Sequence, residues 1–204
     1  MLNISELKFD EKGLIPAIVV KKVSIGASGS GVYFNAVDIL AAAGLSEDDI
    51  KAQYQSFGDS TDALKDGKID AAFIVAGAPT PAITELCLAS SASLVPIDGD
   101  IATKLMSSSP YYTSYVIPAG TYKGQEEDVT TVTVKATLIV STSTSEEDVY
   151  NITKAIFDNS AAIATNHAKG SELSLENATG GMTAPFHKGA AKYFAEKGIT
   201  VESK

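Results

Sequence analysis

An α/β layer architecture with a mostly parallel sheet is the fold class this sequence predicts, and three observations predict it. Past about residue 22, short apolar runs alternate with helical patterns. A turn bearing Gly, Ser or Pro separates most of these runs from the helix that follows. The composition is globular, with 204 residues, 45% hydrophobic, 20% charged, 16 Gly and 7 Pro, which excludes disorder and collagen-like repeats. That length suits one ample domain or two small ones.

The elements follow in order. Val23 to Gly26 reads as a short strand entering the loop Ala27-Ser28-Gly29-Ser30-Gly31, after which Val37, Ile39, Leu40 and Ala43 make a helical face that stops at Gly44. Ser46 caps an acidic turn, with Asp49 in the reciprocal capping-box position. Ala52 to Phe57 reads as a second strand and Asp59 to Asp66 as a short helix ended by Gly67. Ile69 to Val75 reads as a buried strand running into Ala76-Gly77-Ala78-Pro79, and Pro81 suits the first turn of the next helix. Leu94 to Ile97 gives a fourth strand and Asp98 to Met106 another helix.

Residues 107–128 interrupt the rhythm with a long connection holding four of the eight Tyr. Val129 to Val140 then alternates Thr with Val and turns continuously apolar at Leu138-Ile139-Val140, as a long half-buried strand does. Ser145 to about Thr165 reads as one amphipathic helix, opened by a Ser145 to Asp148 box, and His187 to Lys197 as the last helix. Residues 129–204 therefore carry apolar helix faces but one strand. The sheet they need is expected N-terminal to them or in another chain, and within residues 1–22 only Leu14 to Val20 offers a further strand.

Charge narrows the partners. Twenty-five acids oppose 16 bases, all of them Lys, for a net charge of −9. A nucleic-acid partner does not fit, because phosphate neutralisation needs a basic surface. Without Arg there is no bidentate guanidinium clamp, so an anion must be held by backbone amides, hydroxyls or Lys. Cys87 is the single cysteine, which excludes an intrachain disulfide and a Cys-based zinc site. The first residues, MLNISELKFDEKG, carry five charges and do not read as a signal peptide, and no apolar run approaches a membrane span. Walker A, HExxH and EF-hand patterns are missing, so the sequence asks for no cofactor, no metal and no catalytic set.

VSIGASGSG at 23–31, FGDSTDALKDGKIDAAFIVAGAPTPAITEL at 57–86, PYYTSYVIPAGTYKGQEEDVTTVTVKATLIVSTSTSEEDVY at 110–150 and LENATGGMTAPFHKGAAKYFAEKG at 175–198 closely resemble the TAXI family. These are the solute-binding receptors of tripartite ATP-independent periplasmic (TRAP) transporters. The resemblance implies a periplasmic-binding-protein type II-like fold: one complete parallel-sheet lobe at 23–128, and a return strand with C-terminal helices at 129–204 as the C-terminal part of a second lobe. It also implies an extracytoplasmic receptor, at the periplasmic or extracellular face of the membrane, that binds a small organic acid or amino acid such as glutamate between lobes and presents it to TRAP membrane subunits. The family's opening segment is expected to be missing here, and residues 2–20 instead resemble the start of phosphoribosyl-AMP cyclohydrolase, a similarity that stops short of any catalytic region. Residues 1–22 are therefore read as a segment outside the family, a fusion or remnant.

The candidate site residues are Ala27, Ser28, Gly29, Ser30, Gly31 and Val32, with Gly77, Tyr115 and Tyr122 as further wall. The 26–31 loop leaves a strand and enters a helix, so free N–H groups and the positive helix end point at one spot. A Gly-rich turn is also needed merely to connect strand to helix, and the resemblance adds weight to the binding role. Val32 and Tyr33 depart from the Thr and charged residue that relatives commonly show there. Gly77 follows a strand end, where open α/β sheets place ligands, and a tight turn explains it equally. Tyr111, Tyr112, Tyr115 and Tyr122 each offer an apolar wall and a hydroxyl, packing beneath a loop being the commoner role. Asp98 and Asp100 read as helix-start caps, His167 and His187 as structural residues at helix ends. Two alternatives stay open: a non-functional truncated product, and an enzyme remnant related to the cyclohydrolase.

Overall fold

The computed structural model describes residues 18–180 and 182–204. The chain divides into two compact units, one ending at Thr133 and the other running from Val134 to Lys204. Unit 1 is mixed α/β. Its parallel sheet has β1 (Lys22–Ser24) at the centre, flanked by β2 (Lys51–Gln53) and β3 (Ala71–Ala72), in the order β2-β1-β3. Val23 sits opposite both Ala52 and Ala71, which fixes the register on the two sides.

Crossover helices link these strands, as parallel pairing requires. They are α1 (Gly31–Ala42) and α2 (Phe57–Lys65), followed by α3 (Pro81–Ala89) and α4 (Gly99–Ser108). Val23 and Ile25 are fully buried and pack with Ala36 and Leu40 of α1 and with Ile50 to make the core. The helix α1 stops where Gly44 (φ 77°) lets the Leu45 N–H return to Leu40 O. Ser46 and Asp49 close the expected capping box, the Ser46 N–H donating to Asp49 Oδ2 at 2.8 Å.

The strands are shorter than the sequence patterns suggest, and each difference has a local cause. Pairing of β2 stops at Gln53 because Ser56 already caps α2, its Oγ accepting from the Asp59 N–H. On the other side β3 is only Ala71–Ala72, extended by one bond from the Phe73 N–H to Ser24 O; β1 turns away at Gly26 and leaves Val75 exposed. Leu94 to Ile97 forms no ladder; the Ile97 N–H instead meets Thr130 O. Of the strand expected at Leu14 to Val20, residues 14–17 lie outside the described residues, and 18–20 form a turn closed by the Lys21 N–H on Ile18 O.

The connection at 107–128 is not all loop. It contains β4 (Thr113–Ile117), which pairs antiparallel with β5 (Val129–Thr133). The strand expected over 129–140 therefore ends at Thr133. Its partner supplies no residue beyond Thr113, the one opposite Thr133, and a strand without a partner loses its ladder. Leu138 and Ile139 are consequently 69% and 83% exposed.

Unit 2 is helical, with α5 (Glu146–Asp158), α6 (Ser160–Asn166), α7 (Leu175–Thr179) and α8 (Lys188–Glu196). The single helix expected over 145–165 breaks at Asn159, whose side chain and backbone N–H groups both take Ala155 O. Ser145 caps α5 as the sequence implies, accepting from the Asp148 N–H at 3.0 Å. Tyr193 and Phe194 of α8 are buried; Tyr193 stacks on Phe157 of α5 and Phe194 meets the same ring edge-on, while Tyr150 Oη donates to Glu196. Among the described residues no helix is long and apolar enough to cross a membrane.

Helices α5 and α8 approach each other closely at Gly189. A Cβ built there would lie 2.2 Å from Glu146 O and 2.7 Å from Tyr150 N, both backbone atoms. Gly189→Ala should therefore push the helices apart and cost roughly 1–3 kcal/mol. Gly58→Ala, in open space on α2, should be neutral or stabilising by up to about 1 kcal/mol. Urea unfolding of the two variants checks the opposite signs.

Candidate functional site

In unit 1 the three parallel strands each lead from their carboxyl ends into a helix, so the N-termini of α1, α2 and α3 follow that edge of the sheet. Open α/β sheets bind ligands there. The three helix starts are chemically different. Helix α2 carries Asp59 in its first turn, and Ser56 Oγ donates to that carboxylate. Helix α3 has Pro81 at its first position, and the Thr80 N–H is taken by Tyr122 Oη at 2.9 Å. Helix α1 has no acid in its first turn. Helix α3 has none either, so α1 and α3 are the two starts whose positive ends meet no acid of their own first turn, and at α3 the cap amide is already taken by Tyr122.

The loop before α1 has the geometry of a tight, exposed amide turn. Gly26 is buried at φ 87°, and a Cβ there would meet Val32 at 2.7 Å, so this position needs glycine. Gly29 also takes a positive φ, 71°. The Ser30 N–H returns to Ala27 O, and Ser30 Oγ accepts from the Tyr33 N–H at 3.2 Å. Among the described residues these bonds leave the Gly31 and Val32 N–H groups without an acceptor, as the first amides of a helix are. Ala27, Ser28, Gly29 and Gly31 are exposed, while Ser30 and Val32 are half-buried.

The other sequence-predicted wall residues divide. Tyr122 is buried and holds the start of α3 through Thr80. Tyr115 lies half-buried in β4. Gly77 is exposed in the bend before α3, its carbonyl accepting from Thr80 Oγ1. Tyr111 is exposed, whereas Tyr112 is buried and belongs to a polar cluster instead. Asp98 occupies the cap position of α4 without a side-chain hydrogen bond, a correction to its reading as a working cap. His187 caps α8, accepting from the Gly189 N–H, and its other ring nitrogen meets Thr144 O. His167 accepts from the Lys169 N–H and so starts the next short turn as well as ending α6.

Three side-chain groups supporting this region were not foreseen. Tyr33 and Tyr54 each donate to one oxygen of Glu47 at 2.7 Å, which raises both phenol pKa values and fixes Tyr33 beside the loop. Ser60 donates to Ser56 O, so the buried Ser24 hydroxyl donates to Ser60 and ties the end of β1 to α2. Tyr112 donates to Asp38 Oδ2 at 2.8 Å and accepts from Asn35 Nδ2, joining α1 to the segment before β4. Tyr33 and Glu47, Ser24 and Ser60, and Asn35 and Tyr112 are 14, 36 and 77 residues apart in sequence, so no local spacing rule finds these pairs. Among the described residues no three His, Cys, Asp or Glu gather closely enough to hold a metal ion.

Burial, with the Asp38 carboxylate beside it, pushes the Tyr112 phenol up to about 12. A folded-state pKa raised above the ordinary value near 10 gives stability that is complete below about pH 10 and lost as pH rises through about 12. In a titration of tyrosinate absorbance, the signal that develops near pH 12 should fall by one phenol in Tyr112→Phe. Ser30→Ala, which deletes the α1 cap, should cost about 1 kcal/mol in urea unfolding.

Comparison with known proteins follows the same lines. The sequence profile of the NMT1-like family, a family of periplasmic-binding-protein-like proteins, matches residues 6–198. The matched span takes in the 26–31 loop, the parallel sheet and the helices of both units. It also begins inside the 1–22 segment that the sequence reading set apart. A three-stranded parallel sheet with helices is compatible with such a fold, and the family carries a solute-binding role in general. The chain belongs to the NMT1-like family of periplasmic-binding-protein-like proteins.

Proposed function

We propose that this chain is the solute-binding component of a TRAP-type transporter of the TAXI kind, holding a small carboxylate or amino acid such as glutamate. The observation that carries the reading is the Gly26–Gly31 loop at the carboxyl end of β1. There the amides of Gly31 and Val32 and the positive end of α1 face solvent without a competing acid in the first turn. Family membership supports solute binding, and the resemblance of residues 23–198 to TAXI receptors supports the narrower class.

A chain without Arg has to bind a carboxylate by amides, hydroxyls or Lys, and this loop supplies the first two. Val32 in place of the hydroxyl residue common among TAXI relatives removes one donor, so the site holds its acid mainly through backbone. The protein acts by binding, not catalysis, and works outside the cytoplasm with membrane subunits as its partners. Its net charge of −9 keeps the rest of the surface solvated and gives no attraction to nucleic acid.

A ligand that binds only the folded chain raises its melting temperature, by an amount equivalent to about 2.7 kcal/mol at a concentration 100-fold above Kd. Glutamate, glutamine and four- and five-carbon dicarboxylates are the compounds to screen by thermal shift. At least one should stabilise the chain in a saturable manner, with weaker binding in Ser30→Ala. No stabilisation by any of them would contradict the small-acid reading.

A further inference from the structure

The run KATLIV at 135–140 has the composition of a strand, with no Gly, no Pro and one charge, yet it belongs to no ladder. All six residues are exposed, Leu138 and Ile139 by 69% and 83%. Among the described residues no backbone N–H or C=O of this run bonds to another backbone group. The run is tethered at its start, where Lys135 Nζ donates to Asn177 O and Gly180 O at 3.0 and 2.6 Å. A stretch with open backbone groups and apolar side chains facing water is a template for a further strand.

Charge selects what can lie against it. The chain carries a net charge of −9, so two copies repel one another over most of their surface. Residues 129–145, by contrast, contain no acid and a single lysine, Lys135. Two copies can meet there without setting acid against acid.

The run is also complementary to itself. In an antiparallel pair related by a twofold axis, residues opposite one another point to the same face, so the axis passes through a residue position. Centring on Leu138 keeps the five uncharged residues of the run paired with one another. Leu138 then meets Leu138 and Ala136 meets Val140 on one face, while Thr137 meets Ile139 on the other. Lys135 falls opposite Ser141, and the two lysines stand about 20 Å apart along the pair, beyond the screening length. A parallel pair in register would instead set Lys135 against Lys135, which is destabilising.

We propose that residues 135–140 are a self-docking strand through which two copies of this chain pair, antiparallel and centred on Leu138. A strand pair this short falls below the roughly 1,200 Å² that stable interfaces bury, so the dimer is weak and dissociates on dilution. The surface is separate from the 26–31 loop and does not depend on what that loop binds.

Sedimentation equilibrium of the full chain tests this. The mass should rise with concentration from 21.2 kDa and level off toward twice that value. Leu138→Lys and Leu138→Glu each set like charges face to face at the centre, so each alone should stay monomeric where the unaltered chain is dimeric. Mixed in equal amounts, the two variants should recover the dimer, because opposite charges then face each other. Recovery requires folded chains, so a misfolded variant cannot imitate it. Leu88→Lys, at a comparably exposed leucine of α3 (60%), should leave dimerisation unchanged. A mass of one chain at every concentration would assign the run to a different partner and overturn the proposal. A dimer that survives both Leu138 variants, a mixture that recovers nothing, equal loss in Leu88→Lys, or a mass that grows without limit through open stacking would each overturn it as well.

Discussion

The central strand β1 is three residues long, and unit 1 is organised around it. Lys22 to Ser24 is the only strand of the parallel sheet paired on both sides, to β2 and to β3. Its Val23, and Ile25 just beyond it, are fully buried, and Ser24 is buried too, where a lone hydroxyl would be costly. The chain from Ser24 through Ser60 to Ser56 O meets that cost and locks the strand end to α2. The direction in which β1 ends sets where Gly26 turns, and the turn sets where α1 points its first amides. The exposed loop is thus held by one of the most completely buried segments in the chain.

Helix signals were legible in the sequence because they act over three or four residues. Gly44, the Ser46 and Asp49 box, Pro81 and the Ser145 to Asp148 box all stand where spacing rules put them. Strands were less legible, because a strand exists through a partner that local sequence does not name. Leu94 to Ile97 and the apolar run Leu138 to Val140 have strand composition, yet neither has a ladder partner among the described residues. The same division holds in the site. The strand, Gly-rich loop and helix order of 23–42 was readable, whereas Tyr112 with Asp38 and Asn35 required two segments more than 70 residues apart to meet.

The absence of Arg shapes the electrostatics of both units. Lys65, Lys68, Lys154 and Lys169 each pair with an acid two to four residues away, and such exposed pairs contribute little to stability. Lys135 is used as a structural donor to Asn177 O and Gly180 O within unit 2. In the proposed role, anion recognition therefore falls to backbone groups whose orientation depends on glycine conformations. It is stiff and short-ranged, and it selects by shape more than by charge.

The account rests on the amides at the start of α1 being the groups that hold an acid. Amide chemical shifts followed during a glutamate titration test this at single-residue level. The account predicts that the largest saturable shifts fall on Gly29, Ser30, Gly31 and Val32, with Val23 and Leu40 in the core moving little. Saturable binding with those amides unmoved, and the shifts concentrated elsewhere, would contradict it.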